Sequence, residues 1–148
     1  MTSKNKGFYD CNRLGDILFI FHKNHKNYLN NQLSKYDLNL IQALCLERIH
    51  INENINQKDL ADDLYLTKGA IAKAIKKLEL NNYILKEKSP KDSRYNILKL
   101  TEKGLNIITV VEKINLDWET KMGFDELTTE FFTTFQELSS KSAKLNNK

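Results

Sequence analysis

The chain has 148 residues, enough for one compact domain with its own core or for a dimer that shares helices. With 41% apolar and 28% charged residues it resembles ordinary globular domains, and no apolar run approaches the roughly 18 residues of a membrane-spanning helix. One proline and five glycines argue against an all-β or loop-rich fold. The N-terminus lacks the apolar segment of a signal peptide, so we expect a cytoplasmic protein without a membrane partner.

The net charge of +4 is modest, but the basic residues are concentrated in one window. Residues 67–103 contain ten lysines and arginines against four acids, a net +6, so the rest of the chain carries −2. A local excess of this size attracts a polyanion such as nucleic acid. A solvated lysine face that binds nothing is the alternative interpretation of this window.

Two helices are predicted before the basic window. Residues 13–33 carry apolar side chains at helical spacing, namely Leu14, Ile17, Leu18, Phe21, Tyr28, Leu29 and Leu33. Residues 38–51 predict a more buried helix whose inner side consists of Leu40, Ile41, Leu44 and Leu46. Cys45 lies in the same apolar run and is expected to be a small buried hydrophobic residue.

A helix-turn-helix is predicted next. Asn56, with Asp59 three residues later, is a good N-cap for a short helix over 57–64. Thr67 caps a second helix from Lys68 to about Leu80, whose apolar stripe is formed by Ile71, Ala74, Ile75 and Leu78. The opposite face combines cations with small residues, as close approach to a DNA groove requires: Lys68, Gly69, Ala72, Lys73, Lys76 and Lys77.

A β-hairpin and two helices complete the prediction. Strands are expected over 83–87 and 95–100, joined by a turn that holds the single proline of the chain. Thr101 caps a long helix whose apolar positions are Leu105, Ile108, Val111, Leu116 and Trp118. A final helix follows the cap Thr128.

Three segments together resemble the MarR family of winged helix-turn-helix transcription regulators. They are 60-LADDLYLTKGAIAKAIKKLELNNYI-84, the tip Asp92-Ser93-Arg94, and 98-LKLTEKG-104. Tyr65 and Asn82 stand where the family often has glycine. Gly69, Ala70 and Ala72 stand where it often has serine or threonine, so few direct base contacts are expected and readout of DNA shape gains weight.

The resemblance implies a mainly α fold with a small β wing (α+β). It implies one MarR-like chain over 1–148, with a winged DNA-binding lobe over 36–100 and dimerisation helices over 8–33 and 101–146. The expected partners are double-stranded DNA and a second copy of the chain, bound to a pseudo-palindromic operator. Aromatic side chains on these helices support the dimer: Phe8, Phe19, Phe21, Trp118, Phe124, Phe131, Phe132 and Phe135.

In this family such proteins are most often repressors, and a small aromatic or phenolic effector is expected between the dimer helices and the winged lobe. Arg94 matches the wing arginine that enters the minor groove, and Asp92 would brace the tip; the alternative is a solvent-exposed turn pair. The predicted DNA-binding residues are Asn56, Gln57, Thr67, Lys68, Gly69, Ala72, Lys73, Lys76, Lys77, Lys91, Asp92 and Arg94.

Other functions are weaker interpretations of the sequence. Because Gly69, Ala70 and Ala72 lack hydroxyl groups that could contact bases, the chain could instead be a winged module that binds a protein without specific DNA binding. Peroxide-sensing relatives use a cysteine of the N-terminal helix with nearby tyrosines, so Cys11, with Tyr9, Tyr28 and Tyr36 present in the chain, leaves open a redox-sensing regulator. His22, His25 and His50 lack a cluster to complete a metal shell, so we expect no metal and no cofactor. Nucleophile, phosphate-loop and metalloprotease motifs are absent from the sequence, so we expect no enzymatic activity.

Overall fold

The computed structural model describes residues 13–146. Helix α1 spans Leu14–Leu33 and is followed by a 3₁₀ turn, Ser34–Tyr36. The remaining elements are α2 (Leu40–Ile51), α3 (Gln57–Leu64), α4 (Lys68–Leu80), β1 (Ile84–Lys88), β2 (Asn96–Leu100), α5 (Glu102–Met122), a second 3₁₀ turn (Phe124–Glu126) and α6 (Thr129–Asn146). The predicted fold class, mainly α with a small β wing, is confirmed.

Side-chain caps fix where the helices begin. At α3 the Asn56 side chain accepts from the Asp59 N–H at 2.8 Å, and the Asp59 carboxylate accepts from the Asn56 N–H at 3.2 Å. This capping box satisfies two backbone donors that a helix start otherwise leaves free. Thr101 caps α5, since its hydroxyl oxygen accepts a hydrogen bond from the Gly104 N–H at 3.0 Å. Thr128 caps α6 in the same way, accepting from the Phe131 N–H at 3.1 Å.

The inner side of α2 differs from the prediction. Leu46 is buried, as is Cys45, but Leu40, Ile41 and Leu44 are only half-buried. Gln42 is buried instead, because its side chain closes a capping box with Asn39 at the helix start. A polar side chain that is satisfied in this way can face the core at little cost.

The inner side of α5 also differs from the prediction. Ile108 and Val111 are buried as expected, but Leu105 is half-exposed, at 51%. Gly104 and Ile107 lie on the buried side instead. The reason lies at Gly104, where a Cβ would collide with the carbonyl oxygen of Tyr83, so the helix backbone itself touches its neighbour and sets the register.

By its internal contacts the chain divides into a first unit that ends at Ile114 and a second that begins at Asn115. The first unit has a closed core from α1 to α5, in which the largest fully buried side chains are Leu29, Leu33, Leu46, Leu60, Ile71, Ile75, Leu78 and Leu98. In α1 only Leu29 and Leu33 are buried, and the predicted apolar positions Leu14, Ile17, Leu18 and Phe21 are exposed. Phe8, Tyr9 and Cys11 lie outside the described residues.

The second unit has no such core. Trp118 packs edge-on against Phe124 at 5.0 Å between ring centroids, and Phe131 stacks on Phe135 at 5.8 Å. Every described residue of α6 except one half-buried position is exposed. None of the helices within residues 13–146 is long and apolar enough to cross a bilayer.

The wing is a two-stranded antiparallel hairpin whose register runs from Ile84 opposite Leu100 to Lys88 opposite Asn96. Ile97 and Leu98 are both buried, so β2 does not alternate as a half-exposed strand would. The segment before α3 lies along its edge, and the Leu98 N–H donates to the Ile55 carbonyl at 2.8 Å. Helix α2 also packs on β2, so the strand is covered at its edge and by a helix.

Candidate nucleic-acid interface

Helix α4 is held by its apolar stripe, which confirms the predicted amphipathic pattern. Ile71, Ala74, Ile75 and Leu78 are all buried. The Thr67 side-chain oxygen accepts from the Ala70 N–H at 3.1 Å and so begins the helix as predicted. The hydroxyl of Thr67 is therefore already engaged in the fold.

A tight turn joins α3 to α4. Tyr65 adopts the left-handed conformation, with φ 54° and ψ 39°, where glycine would be less strained. Its N–H donates to carbonyls of the last turn of α3, and its side chain is 69% exposed. Residue 65 therefore ends α3 as the usual glycine would, but it places an aromatic ring on the surface beside the start of α4.

The outer face of α4 is exposed along its whole length. Lys68, Lys73, Lys76 and Lys77 are exposed, and none of them forms an ion pair with an acid of residues 13–146. Between them Gly69 and Ala72 are exposed, and a Cβ at position 69 would meet nothing within 4 Å. The face is thus a shallow cationic ridge, which suits close approach to a large anionic surface.

The wing tip is built around Asp92. Its carboxylate accepts from the Arg94 Nη2 at 2.7 Å, from the Arg94 Nε at 3.0 Å, and from the Arg94 backbone N–H at 3.0 Å. These bonds, the side-chain pair first, lower the pKa of Asp92 and raise that of Arg94. Ser89 and the exposed Lys91 complete the turn, the Ser89 Oγ accepting from the Lys91 N–H at 3.3 Å. The Arg94 side chain remains 81% exposed.

Three other cations of the basic window are engaged by the protein, which the sequence analysis missed. Lys86 on β1 pairs with Glu79 of α4 at 3.2 Å. Lys103 donates to the Asn81 carbonyl at 2.7 Å, and Lys88 to the Ser93 carbonyl at 3.4 Å. Only the position of a carbonyl or carboxylate in space reveals such partners, and composition carries no signal for them. These three ammonium groups are held by the protein and are therefore less free to reach a phosphate than the lysines on the outer face of α4.

The remaining predicted positions lie at the start of α3. Asn56 and Gln57 are half-buried, and the Asn56 side chain is part of the capping box. Asn56 therefore stabilises the helix start, whereas Gln57 is not used by any cap in the described residues. Among residues 13–146 no group of three His, Cys, Asp or Glu side chains is placed to hold a metal ion.

An open groove of about 580 Å³ runs beside α4, between that helix and the start of α2. Its floor is mostly apolar and its rim carries three of the lysines described above. The lining residues are Asn39, Ile41, Gln42, Ala70, Lys73, Ala74, Lys76, Lys77 and Leu80. The groove shares its cations with the exposed face of α4, so a ligand bound there would compete for the same charges.

Comparison with known proteins gives a consistent result. The model of the MarR family matches residues 38–95. The chain is 29% identical over 103 residues to the HTH-type transcriptional regulator SarZ of Staphylococcus aureus (strain USA300), covering 68% of this chain and 70% of SarZ. A crystal structure of MarR superposes with a TM-score of 0.73 at 30% identity, covering 91% of this chain and 90% of that one.

A structure of the S. aureus MepR–DNA complex has the same fold, with a TM-score of 0.80 at 18% identity over 90% of this chain and 97% of that chain. The expected family resemblance is confirmed, because the family model covers the helix-turn-helix and the first strand and tip of the wing, and the MarR structure covers 91% of the chain at 30% identity. The chain belongs to the MarR family of winged-helix transcriptional regulators.

Proposed function

We propose that this protein is a homodimeric transcription regulator that acts as a repressor and binds a pseudo-palindromic operator in double-stranded DNA. The observation that carries the proposal is the outer face of α4, where four lysines are exposed and carry no acid partner within residues 13–146. Placed in the major groove, such a helix brings its cations to the phosphates on both sides. MepR, which shares the fold, has been crystallised in complex with DNA, and this supports DNA as the partner.

The wing supplies the second contact in this proposal. Arg94 enters the minor groove, while the Asp92 carboxylate holds the guanidinium by two of its nitrogens. A paired arginine loses fewer conformations on binding than a free one, which favours the complex. A narrow A·T-rich groove concentrates negative potential and attracts this side chain. Lys91, exposed on the same tip, adds a phosphate contact.

Sequence selectivity in this proposal comes mainly from shape. The exposed positions Gly69 and Ala72 have no hydrogen-bonding side chain, so the helix offers few direct contacts to base edges. Its lysines contact phosphates, which position a protein but carry no base information. Mutations in the operator are therefore expected to matter most where they change groove width beneath Arg94.

Dimer formation is supported by the aromatic side chains that the second unit leaves exposed. Phe131, Phe132 and Phe135 are each between 42% and 48% exposed in the isolated chain. Contiguous aromatic surface of this kind marks a protein interface. Two copies would present two α4 helices about one DNA turn, roughly 34 Å, apart. The dimerisation role of residues 8–33 and 101–146, and the winged lobe over 36–100, are part of this proposal.

Release of DNA by a small ligand completes the proposal. The groove beside α4 combines an apolar floor with Lys73, Lys76 and Lys77, which suits an aromatic or phenolic acid. The effector expected between the dimer helices and the winged lobe stays a prediction. A ligand in the groove would act by competition, since its carboxylate neutralises cations that the phosphates need.

The proposal is tested by titrating the protein with a DNA fragment from its own promoter at several salt concentrations. We expect log K to fall steeply with log [salt] and Lys76→Met to reduce the slope by about 0.9. Lys144→Met, an exposed lysine in the last turn of α6, is the charge-matched control and is expected to leave the slope unchanged. Arg94→Ala is expected to weaken binding by about tenfold.

The competing function is a winged module that binds a protein partner. The loss of hydroxyl side chains at Gly69 and Ala72 favours it. Absent or salt-insensitive DNA binding, together with an indifferent Arg94→Ala variant, would overturn the DNA-binding proposal in favour of this module.

A further inference from the structure

The C-terminal end of α4, the proposed recognition helix, is closed by a Schellman motif. Asn82 is left-handed, with φ 62°, and its N–H donates to the Glu79 carbonyl at 3.0 Å. The Tyr83 N–H donates to the Leu78 carbonyl at 2.9 Å. These bonds satisfy carbonyls of the last turn, as this motif does in general. The carbonyl groups of residues 81–83 then need donors from elsewhere.

The first turn of α5 supplies those donors. The Lys103 ammonium donates to the Asn81 carbonyl at 2.7 Å, and the Thr101 hydroxyl donates to the Asn82 carbonyl at 2.6 Å. The Thr101 N–H donates to the Tyr83 carbonyl at 3.0 Å. The Lys103 ammonium also lies 4.3 Å from the centroid of the Tyr83 ring, within cation–π range. A cation at this position is further favoured by the negative end of the helix dipole.

Two other contacts make this junction close-packed. Gly104 leaves no room for a Cβ against the Tyr83 carbonyl, so the two backbones touch. The Tyr83 hydroxyl donates to the Tyr36 carbonyl at 2.7 Å, which ties the junction to the 3₁₀ turn after α1. Burial first, and the nearby Asp37 carboxylate second, raise the pKa of Tyr83, so this hydroxyl stays a donor at neutral pH. The end of α4 is therefore fixed from two sides.

We propose that Lys103 is a positioning residue for DNA binding, whose ammonium holds the C-terminal end of α4 on the first turn of α5. This inference rests on the proposed function. Lys103 belongs to the basic window and is exposed, but its ammonium already donates to the Asn81 carbonyl. Lys103 and the end of α4 both lie in the first unit, so this contact is made within that unit.

The salt dependence of DNA binding separates positioning from phosphate contact. Lys103→Met is expected to lower affinity by about threefold to tenfold at fixed salt, as loss of one solvent-exposed hydrogen bond predicts, with an unchanged slope of log K against log [salt]. Lys76→Met, the matched variant on the exposed face, is expected to reduce the slope by about 0.9. Lys103→Arg keeps the charge and a donor, and is expected to restore most of the affinity.

Amide hydrogen exchange of the DNA-free protein gives a second readout. Lys103→Met is expected to speed exchange at Asn82 and Tyr83, whereas Lys76→Met is expected to leave these amides unchanged. This measurement does not depend on DNA, and thermal melts show whether each variant is folded. If Lys103→Met fails to fold, Lys103→Gln, which keeps a donor but removes the charge, takes its place in both measurements: an unchanged slope supports the positioning role, and a slope smaller in magnitude by about 0.9 contradicts it.

Two results would overturn the inference. A slope reduced by about one in Lys103→Met would make Lys103 a phosphate ligand. Unchanged affinity and unchanged exchange would show that the junction does not depend on the ammonium. If the wild-type protein binds no DNA at any salt concentration, the proposed function fails and the positioning role fails with it, while exchange still reports whether Lys103 holds the end of α4.

Discussion

The two units of this chain bury apolar side chains to very different extents. In the first unit the core is closed, and Leu46, Leu60, Ile75 and Leu78 have no exposed surface. In the second unit the described part contains no buried side chain, and α6 presents a series of exposed phenylalanines. The start of α1, in the first unit, also leaves Leu14, Ile17, Leu18 and Phe21 exposed. Exposed apolar surface of this kind is typical of a protein interface. The proposed dimer accounts for these exposed surfaces, because a second copy of the chain would cover them.

The largest expected effect comes from charging the exposed aromatic surface. Phe131→Glu combined with Phe135→Glu is expected to convert a dimer into a monomer, because two carboxylates cannot be buried unpaired in an apolar interface. Binding to a two-half-site operator should then fall by about a hundredfold or more. Sedimentation velocity and DNA titration measure the two effects.

Leu145→Glu is the control for this variant, since Leu145 lies on the same helix but is 86% exposed. It is expected to leave the dimer intact. A monomeric wild-type protein, or a double variant that stays dimeric, would contradict the assignment of this surface.

A smaller effect is expected from truncating apolar side chains in each unit. Ile75→Ala removes a fully buried side chain and should cost about 2–5 kcal/mol of unfolding free energy, independent of protein concentration. Leu138 is 43% exposed in the isolated chain. Leu138→Ala should therefore lower the unfolding free energy only at protein concentrations where the dimer forms. Denaturant unfolding at two protein concentrations checks both. If both variants lost the same unfolding free energy at both protein concentrations, the proposed difference between the two units would be contradicted.

The smallest effect concerns Cys45 in the core of the first unit. Burial raises the pKa of its thiol to about 11, so at pH 7.5 the group is almost entirely protonated and is also covered. In a Cys11→Ser background we expect no reaction with a thiol reagent until the protein is unfolded. Rapid labelling of the folded variant would show that the core opens. Cys11 lies outside the described residues, and its redox role stays a prediction.

Local chemistry made much of this fold predictable. The caps Asn56, Thr67, Thr101 and Thr128 were each identified from a short polar side chain before an apolar period, because a cap is made within three residues of its own position. The buried stripe of α4 followed from helical spacing alone. The exposure of the opposite lysine face follows from the same spacing.

Features that depend on distant partners were not predictable. Leu105 was placed on the wrong side of α5 because the close approach of Gly104 to Tyr83 sets the register of that helix. Lys86 and Lys103 were counted as available cations because their partners, Glu79 and Asn81, are fixed by tertiary packing. The individual DNA contacts stay predictions, because the position of DNA relative to each side chain does not follow from the sequence.

The central claim is that the exposed lysines of α4 bind DNA phosphates. Its most direct test is the salt dependence of binding in a series that replaces Lys68, Lys73, Lys76 and Lys77 by methionine, one after another. We predict that the magnitude of the slope of log K against log [salt] falls by about 0.9 with each lysine removed. A slope that stays constant through the series, with the protein folded, would contradict it.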